Sequence, residues 1–457
     1  MTKINLKIIC TCCVLLCQSA LLWSKTRNVV TDFGADNTGV NYATTNIQNA
    51  INACLTGDTL LIPQGTFLMN DGLNLKSDLT VIIAKNSLVK ANTNYVWVRN
   101  RSNIFYGNNL TNLTITGGGT IDGGGLVYER GTRTYSRPGR GIELISCSNL
   151  KVTNLRVQNI PNFAVDFNKS SNIVIDSLVV RGRGFYNNSG SADGIDIVSS
   201  SNVKLTNCNI EVGDDGICIK SDAGYPCHNL RISNCVIATT CNAFKIGTNT
   251  VADIYDVIAE NIIINKHSNP GTGNPVPTGD CITAIAMQSN DNASVYDITC
   301  RNFTINSCYN PIAFLLENRK GGTFKSKLEN IVMGNINCLK AVSQPIIFNT
   351  NCTIATNKIK NITLNNVSVR NYESVAGVNL KCMNGGYPEV NAYGIANAYG
   401  IWARGVDGLK LKSCNFYNVG GSSRKKIVFD DTVTNVDSTE INLRTVVPSV
   451  SVKNTSY

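Results

Sequence analysis

One pattern, repeated along most of the chain, limits what it can fold into: a turn residue, alternating apolar positions, often an Asn, then another apolar position. It reads SNLKVTNLRVQN from Ser148, SNIVIDSLVVRG from Ser171, SNVKLTNCNIEV from Ser201 and HNLRISNCVIAT from His228. Further copies are YDITCRNFTINS from Tyr296, ENIVMGNINCLK from Glu329, KNITLNNVSVRN from Lys360 and DGLKLKSCNFYN from Asp407, with an early one, TNLTITGGGTID, from Thr111. Alternation with period two specifies strands with one buried face. The starts at 148, 171, 201 and 228 lie 23, 30 and 27 residues apart, a spacing that marks a solenoid. No single unit carries enough apolar surface to fold alone, and stacking at about 4.8 Å per layer buries a continuous column. The recurring Asn fits a ladder, inward or at a turn, in which each side chain bonds the next copy. The expectation is an all-β, right-handed parallel β-helix forming one unit over residues 25–457. An antiparallel sandwich or barrel would need NG or DG hairpin signals between strands, and few lie where they are needed. The segment Thr44–Cys54, TTNIQNAINAC, is the helical exception: Ile47, Ala50, Ile51 and Cys54 follow helical spacing. Its expected role is to cap the open end of the solenoid and cover an edge that would otherwise pair with other chains.

Ahead of the repeats, Lys3 and Lys7 precede an apolar run from Ile8 to Trp23 that could end at Ala20 or Ser24. This predicts a signal peptide over residues 1–24 and a secreted or periplasmic protein. The run is short for a membrane span, and Leu16 before Cys17 fits a lipidation site poorly, so neither anchor is expected. Apolar content of 43% with only 16% charged residues excludes a disordered chain. Of the 18 cysteines, Cys10, Cys12, Cys13 and Cys17 lie in the leader. The rest form no CxxC series, so no zinc site is expected. Cys208, Cys235 and Cys414 recur at one place in the repeat and read as stacked buried thiols rather than disulfides. The formal charge of +10 favours a polyanionic partner. There is no arginine-rich helix or aromatic RNA-binding motif to make that partner a nucleic acid. An acidic glycan suits an exported protein better, and a monomer is expected.

Acids gather in the strand pattern between residues 193 and 215. SADGIDIVSS supplies Asp193 and Asp196; EVGDDGICIKS supplies Asp214 and Asp215. Asp193 and Asp214 are 21 residues apart, close to one coil, so adjacent layers bring them to one face. Like charges in one site repel and raise a pKa, a cost that glycoside hydrolysis uses: one carboxylic acid protonates the leaving oxygen while an ionised one activates water. Asp196, three residues past Asp193, is expected to point the other way along a regular strand and to hold a turn amide. A calcium site and a structural Asp ladder are the other readings of the cluster.

These residues resemble glycoside hydrolase family 28, the polygalacturonase and rhamnogalacturonase family, over roughly residues 28 to 420. VTDFGADNTGVNYATTNIQNAINAC from Val30 is similar to the opening of that family and of related pectin-degrading β-helices. GGGTIDGGG from Gly117, Arg137-Pro138 and NIPNFAVDF from Asn159 resemble its GTIDG, RP and NSP segments. SADGIDI and GDDGICIKS resemble its paired NTDG and GDD motifs. The resemblance implies that Asp214 is the general acid and that Asp193 and Asp215 hold and deprotonate the water, with inversion and without a metal or other cofactor. It implies a pectic polysaccharide substrate, homogalacturonan or rhamnogalacturonan.

Two departures qualify the match. In CNAFKIGT from Cys241, Asn242 stands where the family has a histidine; members acting on rhamnogalacturonan are similar in lacking it. TAIAMQS from Thr283 has no basic residue where the family carries an Arg-Ile-Lys clamp. Candidates to bind the substrate instead are Lys220, Asn242, Lys245, Arg183 and Arg319, with Arg181 and Lys320 beside them, since arginine grips a carboxylate through two parallel hydrogen bonds. Tyr186 could stack on a sugar ring. His228 and His267 are the only histidines, and both read as incidental. Two further functions are open to the scaffold: a calcium-dependent pectate-type lyase using an Arg or Lys base, and a non-catalytic carbohydrate-binding β-helix. The loops Arg181–Gly190 and His267–Gly279 could close one end of a groove.

Overall fold

The computed structural model describes residues 24–93, 103–125, 139–182, 193–269, 279–319, 321, 323–351, 357–383 and 385–442. The predicted leader, Arg137-Pro138, Arg183, Tyr186, Lys320 and most of the two candidate groove loops lie outside them.

Every copy of the repeat begins in the same register. Ser148 pairs with Thr111 and with Ser171, Ser171 with Ser201, and Ser201 with His228. All these pairings are parallel, and among the described residues the strands form one 33-stranded sheet that winds into a right-handed parallel β-helix. Each coil presents a first face, such as Ser201–Thr206, a short second face, such as Asn209–Val212, and a third face, such as Ile217–Ser221. From Cys227 onward the first two faces merge into single long strands, Cys227–Thr239 being the first.

The bend between these two faces explains the recurrent Asn. Asn207, Asn234, Asn261, Asn302, Asn335 and Asn366 all have φ between 54° and 60°. That left-handed conformation is costly for most side chains and tolerated by Asn. Asn302 Nδ2 donates to Asn261 Oδ1 at 3.1 Å, and Asn335 Nδ2 to Asn302 Oδ1 at 3.0 Å. A second ladder at the start of the first face runs through Asn112, Asn149, Asn172, Asn202 and Asn229. Both run along exposed turns, which decides between the inward and turn positions the sequence left open.

Inside, apolar positions align layer upon layer. On the third face Val165, Ile195, Ile217, Phe244, Ile285 and Ile312 form one fully buried column. Cys208 lies on Cys235 at another column position, both buried and free, and Cys414 occupies the same position near the far end. Between them that position is filled by Ile262, Phe303, Ile336 and Val367, so the thiols stack only at Cys208 and Cys235. Cys308 and Cys338 make a second thiol contact, with sulfurs 3.7 Å apart. Cys382, which the repeat did not single out, is disulfide-bonded.

The helix Thr44–Ala53 (α1) replaces the third-face strand of the first coil. It buries Ile47, Ala50 and Ile51 next to Gly65–Met69 and Leu73–Asn74 and so caps the column. No helix among the described residues is long and apolar enough to cross a membrane.

Candidate active site

At the corner between the second and third faces the chain leaves the coil and returns to begin a third-face strand. Asp193, Asp215 and Asn242 occupy three successive points of return. Gly194 N donates to Asp215 O, and Gly216 N to Asn242 O, each at 2.8 Å, so the three residues stand in one column. The residue after each Asp must be glycine: a Cβ on Gly194 would lie 2.4 Å from Gly216 O, and one on Gly216 would lie 2.6 Å from Ala243 O. It is therefore Asp215, not Asp214, that stands directly over Asp193. Asp214 belongs to the same turn, pinned by hydroxyls of the next layer: Thr239 Oγ1 donates to Asp214 O, and Thr240 Oγ1 to Gly213 O at 2.8 Å.

The three acids share one open cavity of about 530 Å³, lined also by Arg140, Phe163, Asp166, Asp196, Lys220, Arg319 and Tyr387. Carboxyl oxygens of Asp193 and Asp215 approach within 4.8 Å, as do those of Asp214 and Asp215. Asp196 lines this cavity too, against the expectation that it points away. Asp193 precedes the strand Ile195–Val198 and does not obey its alternation, whereas Asp196 is an outward residue of that strand, in register with Asp166. Lys220 Nζ lies between the two acids, 2.8 Å from Asp193 Oδ2 and 2.7 Å from Asp196 Oδ1.

Burial and neighbours separate the protonation states. Burial, reinforced by the charges of Asp193 and Asp215, pushes Asp214 well above the usual carboxylate range. Its Oδ1 accepts the Asp215 backbone N–H at 2.9 Å. Asp215 is the more deeply buried of the two, yet Lys245, Lys220 and the amide of Asn242 together hold it below the usual range. Burial raises Asp193 to about 7 and Asp196 to about 6, against the pull of Lys220. Lys220 and Lys245, drawn upward by the surrounding carboxylates, stay protonated.

The sequence-predicted binding residues divide. Lys220 and Arg319 line the cavity. Lys220 is already engaged by two acids, and Arg319 is forked onto buried Asp291 at 3.0 and 2.6 Å. Lys245 and Asn242 are fully buried and turned onto Asp215 instead of the open cavity. Lys245 Nζ is 3.0 Å from Asp215 Oδ2, and Asn242 Nδ2 donates to Asp215 Oδ1 at 2.8 Å. A buried ammonium and a buried amide beside a carboxylate serve that carboxylate, so these two are partners of Asp215 and not grips for a uronate. Arg181 bonds the carbonyl of Asn209 and is not among the cavity residues. His228 stacks on Tyr255 at 4.9 Å in an outer ladder, and His267 is buried beside Glu211.

The sequence reading missed several cavity residues. Asp166 sits at an outward strand position one layer from Asp196, a location the register of the repeat could have given; Arg140, paired with it at 2.6 Å, opens the strand two layers from Asp196. Tyr387 comes from the segment 372–397, which carries no repeat and gave no signal; Glu389 of the same segment lies behind the cavity, against Lys245. Gln288, in the segment without the basic clamp, donates to Pro388 O at 3.0 Å. The position lacking the clamp is thus covered by residues from far along the chain.

The family profile described as glycosyl hydrolases family 28 matches residues 53–276. A probable polygalacturonase of Vitis vinifera is 33% identical over 181 residues, covering 36% of this chain and 36% of the relative. A probable rhamnogalacturonase E of Aspergillus oryzae is 25% identical over 240 residues, covering 52% of each. The chain therefore spans between about a third and about half of the length of these relatives. Among solved structures, the Yersinia enterocolitica family 28 exopolygalacturonase superposes with a TM-score of 0.67 at 18% identity, covering 90% of this chain and 78% of that one. The PfbA surface adhesin of Streptococcus pneumoniae also superposes, with a TM-score of 0.61 at 14% identity, covering 86% and 90%. The fold is thus common to proteins of different names, whereas the sequence match over residues 53–276, the stretch that carries Asp193, Asp214 and Asp215, is to glycosyl hydrolases family 28.

Proposed function

We propose that the protein is a secreted glycoside hydrolase that cleaves galacturonate-containing pectic polysaccharide with inversion. Asp214 is the general acid; Asp215 is the general base, sharing the attacking water with Asp193. One observation carries this reading: adjacent carboxyls in a single cleft are held in opposite states, Asp214 well above and Asp215 below the usual range. Acid and base assignments follow where environments push paired groups apart. A gap under 4.8 Å between oxygens of Asp193 and Asp215 is one that a single water can bridge with two hydrogen bonds. Relatives named for polygalacturonase and rhamnogalacturonase support a pectic substrate.

The residues fit the calcium-dependent lyase poorly. The acid clusters include a thiol, Cys218 or Cys241, which a hard cation disfavours, and the ammonium groups of Lys220 and Lys245 already stand against Asp193 and Asp215. Those lysines remain protonated and Arg319 is bound to Asp291, so each makes a poor base for proton abstraction. The carbohydrate-binding reading leaves the split protonation of Asp214 and Asp215 without a use.

The test is incubation with homogalacturonan, rhamnogalacturonan and methyl-esterified pectin, with product mass and anomeric configuration followed by NMR. New reducing ends of inverted configuration are expected. Unsaturated products absorbing in the ultraviolet, or binding of every polymer with turnover of none, would refute the proposal.

A further inference from the structure

Glu389 reaches the buried partners of Asp215 from a part of the chain with no place in the repeat. The excursion 372–397 leaves the solenoid between Ile359–Asn371 and Ala398–Ala403. It makes a small core of its own, with Leu380, Met383, Val390 and Tyr393 packed on Ala313, Ile347 and Trp402 of the third face. Small side chains at Ala286 and Ala313 occupy the outward column next to Lys245. Tyr387 and Pro388 are then tied down by Thr248 and Gln288, at 3.1 and 3.0 Å. These anchors aim Glu389 inward. Its Oε1 lies 3.3 Å from Lys245 Nζ and 3.2 Å from Asn242 Nδ2, the two donors that hold Asp215. Asp215, Lys245, Glu389 and Asn242 close into a ring of hydrogen bonds. Asn242 turns its amide nitrogen to both carboxylates, which leaves its Oδ1 without a partner.

The ring has an electrostatic consequence. A buried ammonium facing one carboxylate directs its whole field there and makes that carboxylate a very weak base. A general base works best with a pKa near the operating pH. A second carboxylate on the same ammonium divides the field. The groups facing Asp215 are Asp214 and Cys218 of its own turn and strand, Asp193, Asp196 and Lys220 around the cavity, Cys241, Asn242 and Lys245 of the next layer, and Tyr387 and Glu389 of the excursion. Of these carboxylates, Glu389 is the one that shares Lys245.

We propose that Glu389 is a positioning residue for Asp215: it fixes Lys245 and Asn242 on that carboxylate and moderates the pull of Lys245, keeping Asp215 ionised yet basic enough to deprotonate water. This rests on the reading of Asp215 as the base.

The experiment is the pH profile of kcat and kcat/KM, on the pectic polymer the wild type turns over, for Glu389→Gln, Lys245→Met and the double variant. Burial raises Glu389 above its usual range and Lys245 opposes that rise; over the pH range in which Glu389 is ionised, Glu389→Gln removes a negative charge near Asp215, and the acid limb is expected to move down by about one pH unit. Its kcat is expected to fall roughly tenfold, the share of rate a weakened base forfeits, with KM little changed. In Lys245→Met the limb moves up, and in the double variant it lies between the two. An acid limb in Glu389→Gln that stays in place or moves up overturns the proposal. Should Glu389→Gln not fold, the double variant, which leaves neither buried charge alone, is compared with Lys245→Met. A lower limb in the double variant supports the proposal and equal limbs overturn it. Asp215→Asn tests the underlying reading separately: if it keeps wild-type turnover, Asp215 is not the base, whatever Glu389 does.

Discussion

Asp214 holds its proton because the fold surrounds it with two other acids in a place short of water, and this has an effect on stability as well as on rate. Its folded pKa is raised above the unfolded value of 3.8. As pH rises through that interval the unfolded chain releases the proton while the folded chain keeps it, so the stabilising contribution, full below 3.8, falls until the folded pKa is passed. Asp214→Asn removes this decline and the proton donor together. Turnover should fall by about 10²–10⁴, the usual worth of a general acid. The melting temperature should rise relative to wild type, more at pH 7 than at pH 4. Calorimetry at the two pH values checks the sign; a variant less stable than wild type at pH 7 would mean that Asp214 is ionised in the fold. Activity should also be bell-shaped in pH, rising as Asp215 ionises below the usual carboxylate value and falling as Asp214 loses its proton.

At the scale of elements, the site depends on turns more than on strands. A strand alternates whether or not its neighbours are in register, but the column of Asp193, Asp215 and Asn242 requires each coil to bend at the same point. The left-handed Asn residues enforce this. Asn202, at φ 56°, accepts from Asn229 at 2.7 Å and donates to Asn172 at 3.0 Å. Asn202→Ala loses both bonds and places a Cβ-bearing residue with no such preference in left-handed backbone, a conformation that costs about 1–2 kcal/mol. Asn202→Gly loses the bonds but not the conformation, so it should be the milder variant by roughly 1 kcal/mol. Urea midpoints of the two proteins measure the difference, and equal losses would assign the whole effect to the ladder bonds. The excursion 372–397 is the opposite kind of element. It obeys no period, it docks through an apolar cluster of its own, and it brings Tyr387 to the cleft and Glu389 to Lys245.

Across the whole molecule each coil touches mainly the coils before and after it, so stability is close to a sum over neighbours. Coils at the ends lose one neighbour. Hydrogen exchange should therefore be slowest in the middle, on strands such as Ile217–Ser221 and Cys281–Ser289, and fastest at Thr26–Asn28 and Lys425–Phe429. Uniform protection from end to end would mean one cooperative unit. The repeat made this architecture legible, because a period-two pattern at coil spacing can bury its apolar face only by stacking. It also placed Asp193, Asp214 and Asp215 together, since residues one coil apart must meet. The charges around those acids were not legible. Lys245 and Asn242 read as substrate grips, and Asp196 as a turn residue, because spacing along one strand does not say which side chain is buried or what faces it. Glu389 left no trace, lying 147 residues from Asn242 in a segment without periodicity. By itself the sequence determined the coil, the capping helix and the meeting of the acids, all consequences of local period and turn chemistry. Only the tertiary structure decided which acid keeps its proton and which cation holds the other, because those depend on desolvation and on neighbours contributed by distant chain.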